Sequence, residues 1–336
     1  MERESRDAAN RLWEMADILR PWAIRVAATL RLADHITAGH TNVDDLARVS
    51  GSDHDALRRL LRYLESQELF VEDPVDHFQL TDVGRALCDD DPAQFRSWLD
   101  QEGGMGRADV AASGMLETIR GGLPTYSNFF GRTFWDDLEQ HPQQRRAFDE
   151  LMMGQLSPRA DDIAAACNWD NVRHVVDVGG GTGVQLAAIL ERAPHVRGTL
   201  VELPRSAEQA LALFHGRGLS DRTTVVDRSF FEPLPRDADV YILNIVLHNW
   251  PDSSATEILQ NCVDAATPAG RLLVIEALRL MPPRPMSLAM DLHMLVLFGG
   301  RQRSLEEFGR LFHSVGVRQT RVVGTVGART IIECFK

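Results

Sequence analysis

Apolar residues recur at helical spacing from Trp13 to about Ala38, with Leu12, Met15, Ile18, Leu19, Trp22, Val26 and Leu30 falling on one face. This pattern predicts amphipathic helix. Pro21 is expected to start or kink a segment, because it has no N–H and a fixed φ. The apolar face is expected to be covered by something large. Residues 41–51 and 52–64 read as two short helices, each opened by a polar N-cap candidate and separated by Gly51. Phe70-Val71 and Phe78-Gln79-Leu80, with Asp73-Pro74 between them, read as a small hairpin. Helices followed by a two-stranded wing predict a winged-helix domain over residues 1–100.

Residues 101–168 have a mainly helical pattern, broken at Gly121–Pro124 and by an aromatic stretch of Tyr126, Phe129, Phe130, Phe134 and Trp135. We read them as a linker and pocket region. The pattern changes near His174. From residue 169 to 336, β-branched apolar runs alternate with helical stretches: 175–178, 198–201, 224–226, 240–243, 272–275 and 330–332. Alternation of this kind predicts an α/β domain with a doubly wound, mostly parallel sheet.

Composition narrows the function classes. The formal charge of −12 argues against nucleic acid or an anionic membrane as main partner, although Arg58, Arg59 and Arg62 on the second of the paired helices keep a DNA-binding reading open. No apolar run reaches the roughly 18 residues that a membrane span needs. The charged start of the chain and four dispersed cysteines, Cys88, Cys167, Cys262 and Cys334, lead us to expect a cytoplasmic protein with free thiols and no metal.

The strongest motif joins a buried strand to a helix: Val175-Val-Asp-Val-Gly-Gly-Gly-Thr-Gly183. Its glycines allow a sharp turn and a close approach of backbone to ligand. Glu202 closes the next strand about 20 residues on, the spacing at which an acid meets ribose hydroxyls in adenosine-type sites. The order of the glycines differs from the dinucleotide fingerprint and resembles motif I of class I S-adenosylmethionine-dependent methyltransferases. Farther along, His248 follows the apolar run Val240–Leu243 at or just beyond a strand's carboxyl end, where ligands of α/β proteins bind.

The glycine loop, Leu247-His-Asn-Trp-Pro-Asp252, Gly270-Arg-Leu-Leu-Val-Ile-Glu276 and Asp291-Leu-His-Met-Leu-Val-Leu-Phe-Gly-Gly-Arg301 together resemble the small-molecule O-methyltransferase family. That family includes plant caffeic acid O-methyltransferases and bacterial antibiotic-tailoring enzymes. Glu202-Leu-Pro204 and His248-Asn249-Trp250 are similar to its anthracycline branch, which includes carminomycin O-methyltransferase and aclacinomycin hydroxylase. The resemblance implies a homodimer with interlocked N-terminal helices, S-adenosylmethionine as cofactor, and a hydroxyl of a small aromatic or polyketide-type molecule as acceptor.

Carried over residue by residue, it implies His248 as general base, oriented by Glu276, with Asn249 beside it. Asp177, Gly179, Gly180, Gly181, Glu202, Leu203, Ser229, Phe230, Asn244 and Trp250 would hold the cofactor. Met152, Met290, Met294, Phe298 and Arg301 would line the substrate pocket, with Arg303 a further cation available to a carbonyl or carboxylate. Several positions depart from the family pattern: Gln302 replaces a second carboxylate, Ser229 an aspartate, Asn244 a Lys or Arg, and Asn249 an Asp. The departures keep open a relative that retains the cofactor for non-methylating chemistry.

Overall fold

The computed structural model describes residues 2–279, 282 and 285–335, without the side chains of residues 2–5. By contact the chain separates into two units, Met1–Gly106 and Arg107–Lys336. The helical stretch ahead of the sheet thus belongs with the second unit.

In the first unit the helices are α1 (Glu2–Met15), α2 (Leu19–Thr29), α3 (Leu32–Thr37), α4 (Val43–Ser50) and α5 (His54–Ser66), followed by β1 (Phe70–Glu72) and β2 (Phe78–Leu80). Pro21 lies in the first turn of α2, where its missing N–H costs no helical hydrogen bond; the break falls just ahead of it, at residues 16–18. The Asn42 side chain caps α4 by accepting from Asp44 N, and Asp53 caps α5 by accepting from Ala56 N. Leu32, Leu46, Leu57, Leu61, Leu64, Phe70 and Phe78 form the core under the antiparallel wing. Each arginine of α5 meets an acid: Arg58 with Asp76 at 2.5 Å, Arg59 with Asp55 at 2.7 Å and Arg62 with Glu72 at 3.2 Å. These charges are matched within the unit rather than arrayed for phosphate. Trp13 on α1 is 82% exposed, and Leu12 and Met15 of the same helix, Ile18 in the break and Leu19 at the start of α2 are exposed with it, apolar surface of the kind that a second chain covers.

Short helices α6 (Asp82–Arg85) and α7 (Phe95–Leu99) complete the first unit. The next helices are α8 (Gly106–Ala111), α9 (Met115–Gly121), α10 (Tyr126–Phe130), α11 (Phe134–Gln140) and the long α12 (Pro142–Ala166). The sheet domain then runs β3 (His174–Val178), α13 (Val184–Arg192), β4 (Arg197–Glu202), α14 (Pro204–Gly216), β5 (Thr223–Asp227), β6 (Val240–Asn244), α15 (Asp252–Ala265), β7 (Arg271–Glu276), α16 (Pro285–Phe298), α17 (Leu305–Ser314), β8 (Gln319–Val326) and β9 (Arg329–Phe335). Among the described residues these strands form a seven-stranded sheet in the order β5-β4-β3-β6-β7-β9-β8. The five strands β5, β4, β3, β6 and β7 are parallel, and β9 and β8 run antiparallel.

Alternation along the central strands fills both faces. Val176, Tyr241 and Leu243 pack with α15 and α17, while Val175, Val240 and Ile242 pack with α12 and α13. At about 1.5–3 kcal/mol for each fully buried aliphatic side chain, the central strands are the rigid part of the domain. Glu202, Asn244 and Glu276 close β4, β6 and β7, so all three are held at one sheet edge. Strand β8 is not among the apolar runs of the sequence: it is an edge strand, mostly exposed, with an irregularity between Val322 and Gly324. Among the described residues no helix is long and apolar enough to cross a membrane.

Candidate active site

The β3–α13 turn opens the site. Gly179, Gly181 and Gly183 all have positive φ, at 68°, 59° and 79°. A Cβ at Gly180 would lie 2.4 Å from Asp177 Oδ2, whereas one at Gly181 would meet nothing within 4 Å; the turn is tight underneath and open above. Glu202 bridges its own loop and this one, with Oε2 accepting from Gly181 N at 2.9 Å and Oε1 from Leu203 N at 2.7 Å. Burial pushes both Asp177, to about 7, and Glu202 upward, and Arg145 opposes the shift on Glu202.

Arg145 was not visible as a site residue in the sequence. It lies buried on α12, with Nη2 3.6 Å from Glu202 Oε1 and Nε 3.0 Å from Asp149 Oδ2. Ser206 also bonds to it, and Asp149 accepts from Ser206 Oγ at 2.6 Å and Gln209 Nε2 at 2.5 Å. The local sequence shows an Arg–Asp pair one helical turn apart, which ordinarily reads as a solvated ion pair. Only the fold brings it against Glu202.

Phe230 and Trp250 flank the turn from the other strands. Their rings meet edge to face with centroids 5.8 Å apart, and a Cβ at Gly179 would approach the Phe230 ring to 3.1 Å. Ser229 Oγ accepts from Phe231 N at 3.2 Å. Asn244 donates to Gln185 Oε1 at 3.3 Å, leaving its buried Oδ1 with no hydrogen-bond partner. An adenosine-type ligand fits this set: an open glycine turn, a carboxylate beside it, an aromatic wall and an unused buried acceptor.

His248 lies in the short 3-10 turn Leu247–Asn249 that follows β6. Ile245 makes the strand turn into that segment at φ 58°, an uncommon conformation for a β-branched residue. Glu276 Oε1 accepts from Leu247 N at 2.8 Å and His248 N at 3.3 Å. Its Oε2 faces His248 Nδ1 at 3.9 Å, and neither atom has a hydrogen-bond partner. Burial pushes Glu276 up to about 7. Burial, and then the positive charges of Arg303 and Arg329, pull His248 down to about 4. The imidazole is therefore neutral near pH 7, and 14% of the side chain stays exposed. A neutral imidazole turned toward an acid on one side and open on the other can accept a proton on its open side. Asn249 N bonds to Val246 O at 3.2 Å within the same turn.

Arg303, read from sequence as a cation for a ligand, is committed to protein. It is 1% exposed and donates to Leu247 O, Trp250 O and Asp252 Oδ1 at 2.8–2.9 Å. Gly300 lets a second segment close on the His248 loop, since a Cβ there would lie 2.2 Å from His248 O. Gln302 accepts from Ser287 Oγ at 2.6 Å, and its N–H donates to Asp291 at 2.6 Å.

Met290, Met294 and Phe298 recur every four residues on α16, Met294 buried and the other two half-buried. Phe298 stacks on Trp135 and meets Phe134 edge-on at 5.0 Å, while Phe134 also touches Phe148. The aromatic stretch of the sequence thus packs with α16. Met152 is half-buried on α12. Arg301 stands apart from this face. It is exposed, pairs with Asp252 at 3.4 Å and Glu307 at 3.6 Å, and borders a cavity of about 360 Å³ with Leu288, Asp291, Leu292 and Leu295 of α16. Among the described residues no cluster of His, Cys, Asp or Glu is arranged to hold a metal ion.

Residues 113–318 match the profile of an O-methyltransferase domain, and residues 13–90 that of an O-methyltransferase dimerisation domain. The chain is 43% identical to the 2,7-dihydroxy-5-methyl-1-naphthoate 7-O-methyltransferase of Streptomyces carzinostaticus, over 90% of this chain and 91% of that protein. It is also 43% identical to aclacinomycin 10-hydroxylase of Streptomyces purpurascens, over 91% of this chain and 83% of that protein. The crystal structure of an O-methyltransferase from neocarzinostatin biosynthesis, in complex with S-adenosylmethionine and 2-hydroxy-5-methyl naphthoic acid, superposes with a TM-score of 0.89 at 41% identity, covering 96% of this chain and 97% of that one. With a matching O-methyltransferase domain over most of its sheet-bearing unit and 43% identity to a naphthoate O-methyltransferase, this chain belongs to the O-methyltransferase family.

Proposed function

We propose that this protein transfers a methyl group from S-adenosylmethionine to a hydroxyl oxygen of a small aromatic or polyketide-type molecule, with His248 as general base. The observation that carries the reading is the buried neutral His248 facing Glu276 at the sheet edge that also carries Glu202. A phenol titrates near 10 and His248 is held at about 4, so the imidazole takes the proton only as the oxygen bonds to carbon and its proton becomes strongly acidic. Glu276 orients the ring through Nδ1, which assigns Nε2 to the substrate. A carboxylate so placed also stabilises the imidazolium that forms, as in hydrolytic triads.

Gly179, Gly180, Gly181, Glu202, Leu203, Asn244 and the Phe230–Trp250 wall would hold the cofactor, with Ser229 and Asp177 supporting them. The cofactor supplies an electrophilic methyl group on a positively charged sulfur. Met152, Met290, Met294 and Phe298 would form an adaptable apolar clamp for flat rings, and Asn249 would border it, with Arg301 on the adjoining cavity. Alignment within this clamp turns a bimolecular displacement into a unimolecular one. The exposed apolar residues of α1 and the dimerisation-domain match support a homodimer, and the free cysteines suit the cytoplasm.

Mass spectrometry with isotopically labelled cofactor and a panel of phenolic acceptors tests the reading. Transfer adds about 14 Da plus the label and releases S-adenosylhomocysteine. His248→Ala should lower turnover about 100-fold or more at saturating cofactor; near-normal turnover would remove the base from His248. The likeness to aclacinomycin 10-hydroxylase favours a second reading, in which the bound cofactor supports other chemistry. Product formed without S-adenosylhomocysteine release would select it.

A further inference from the structure

Two arginines meet at the same sheet edge as the His248–Glu276 pair, without an acid between them. Arg329 opens β9, one residue before Thr330, the register partner of Glu276. Its Nη2 donates to Gln155 O at 3.3 Å, and Arg159 Nη1 donates to the same oxygen at 3.0 Å. Both Gln155 and Arg159 belong to α12, which carries Pro158 in its interior. A proline there removes the helical hydrogen bond to Gly154 O and crowds the preceding turn. Gly327, in the β8–β9 turn at φ 58°, makes room for this packing: a Cβ would lie 2.8 Å from Arg159 Nε.

One carbonyl oxygen serves two guanidinium groups. Arg329 Nη1 is buried with no hydrogen-bond partner, and among the described residues neither arginine is ion-paired. Like charges brought together out of water are costly unless something neutralises them. Burial first, and Arg159 second, pull Arg329 down to about 10, against a smaller opposing pull from Glu276, which makes no ion pair with either arginine. Arginine forks match a planar two-oxygen anion better than any other partner.

We infer that Arg159 and Arg329 form a carboxylate-binding subsite next to His248, taking the acid group of a small molecule bound there. The inference rests on the proposed methyl-transfer site. Two ligands of that site could bring a carboxylate: an aromatic hydroxy acid as substrate, or the amino-acid tail of the cofactor.

Titration calorimetry on the full-length protein separates them. One arm compares S-adenosylhomocysteine with 5′-methylthioadenosine, which lacks the amino-acid tail. The other, with S-adenosylhomocysteine saturating, compares 1,4-dihydroxy-2-naphthoic acid with its carboxamide. Arg329→Met should weaken one of the two acids about 10-fold or more while leaving its acid-free counterpart within about twofold. Arg159→Met should act in the same direction, and Arg329→Lys, which keeps the charge, should restore part of the loss. A loss confined to S-adenosylhomocysteine assigns the subsite to the cofactor tail; one confined to the naphthoic acid assigns it to the substrate. Equal losses for an acid and its counterpart in both variants, or no loss at all, overturn the subsite. Failure of methyl transfer by the wild-type protein would instead sink the proposed reaction and leave these binding ratios standing, so the two failures are distinguishable.

Discussion

The Arg303 guanidinium holds the carbonyl oxygen of Leu247 at 2.8 Å, and the next residue in the chain is His248. The same side chain holds Trp250 O at 2.8 Å on the far side of the histidine. One buried cation thus spans the turn that carries His248. Arg303→Met would leave two carbonyls without their donor, at a cost of about 2–4 kcal/mol. Thermal unfolding should show that loss. In the folded fraction kcat should fall about 10-fold or more while S-adenosylhomocysteine affinity holds. An unchanged kcat would mean that the turn keeps its shape without the clamp.

Glu276 and His248 make opposite contributions to stability with pH. Glu276 rises from 4.5 to about 7 on folding, so the folded state keeps a proton that the unfolded chain has lost. Its favourable contribution is complete below 4.5 and is lost as pH rises through about 7. His248 falls from 6.5 to about 4; its contribution is complete above 6.5 and is lost as pH falls through about 4. Between about pH 4.5 and 6.5 the two slopes oppose each other in the wild type. Relative to the wild type, Glu276→Gln should therefore shift the slope of stability with pH upward across that window, and His248→Asn should shift it downward. Denaturant titrations at half-unit pH steps would show this, and parallel profiles for the two variants would refute it.

Glu202→Gln removes the charge and keeps one oxygen acceptor, for Gly181 N or Leu203 N but not both. Arg145 retains Asp149 and Glu139 as partners, so the fold should survive. Calorimetry should show S-adenosylhomocysteine binding weakened about 10- to 100-fold. A change below about twofold would remove Glu202 from the ribose.

The apolar residues of α1 predict a quaternary phenotype. Wild-type protein should sediment as a dimer at micromolar concentration, and Leu12→Asp with Trp13→Asp should shift it to monomer, since charge on an interface centre is poorly tolerated. A double variant that stays dimeric would place the interface elsewhere.

Much of the sheet domain was legible because its signals are local. The Val175–Gly183 run needs only neighbouring residues to specify strand, turn and helix, and Glu202 follows at a fixed spacing. His248 stood out through its motif rather than through its burial. Strand β8 was not, because its exposed residues carry no apolar run and its pairing with β9 is a tertiary fact. The true positions of Arg145 and Arg303 were hidden for the same reason. An arginine reads alike on paper whether it meets solvent, ligand or, as Arg303 does, the backbone of a distant loop. The break between α1 and α2 was expected at Pro21 and fell ahead of it, since proline is at home in a helix's first turn.

Ile245 forces the chain out of β6 in a left-handed turn that glycine or asparagine would adopt with less strain. Laboratory selection for heat resistance alone would be drawn to this position, where relief of about 1–3 kcal/mol is available from one codon. The same relief would free the imidazole three residues later to swing. A thermostable descendant carrying glycine at 245 should thus tolerate hotter incubations yet turn over more slowly at every temperature.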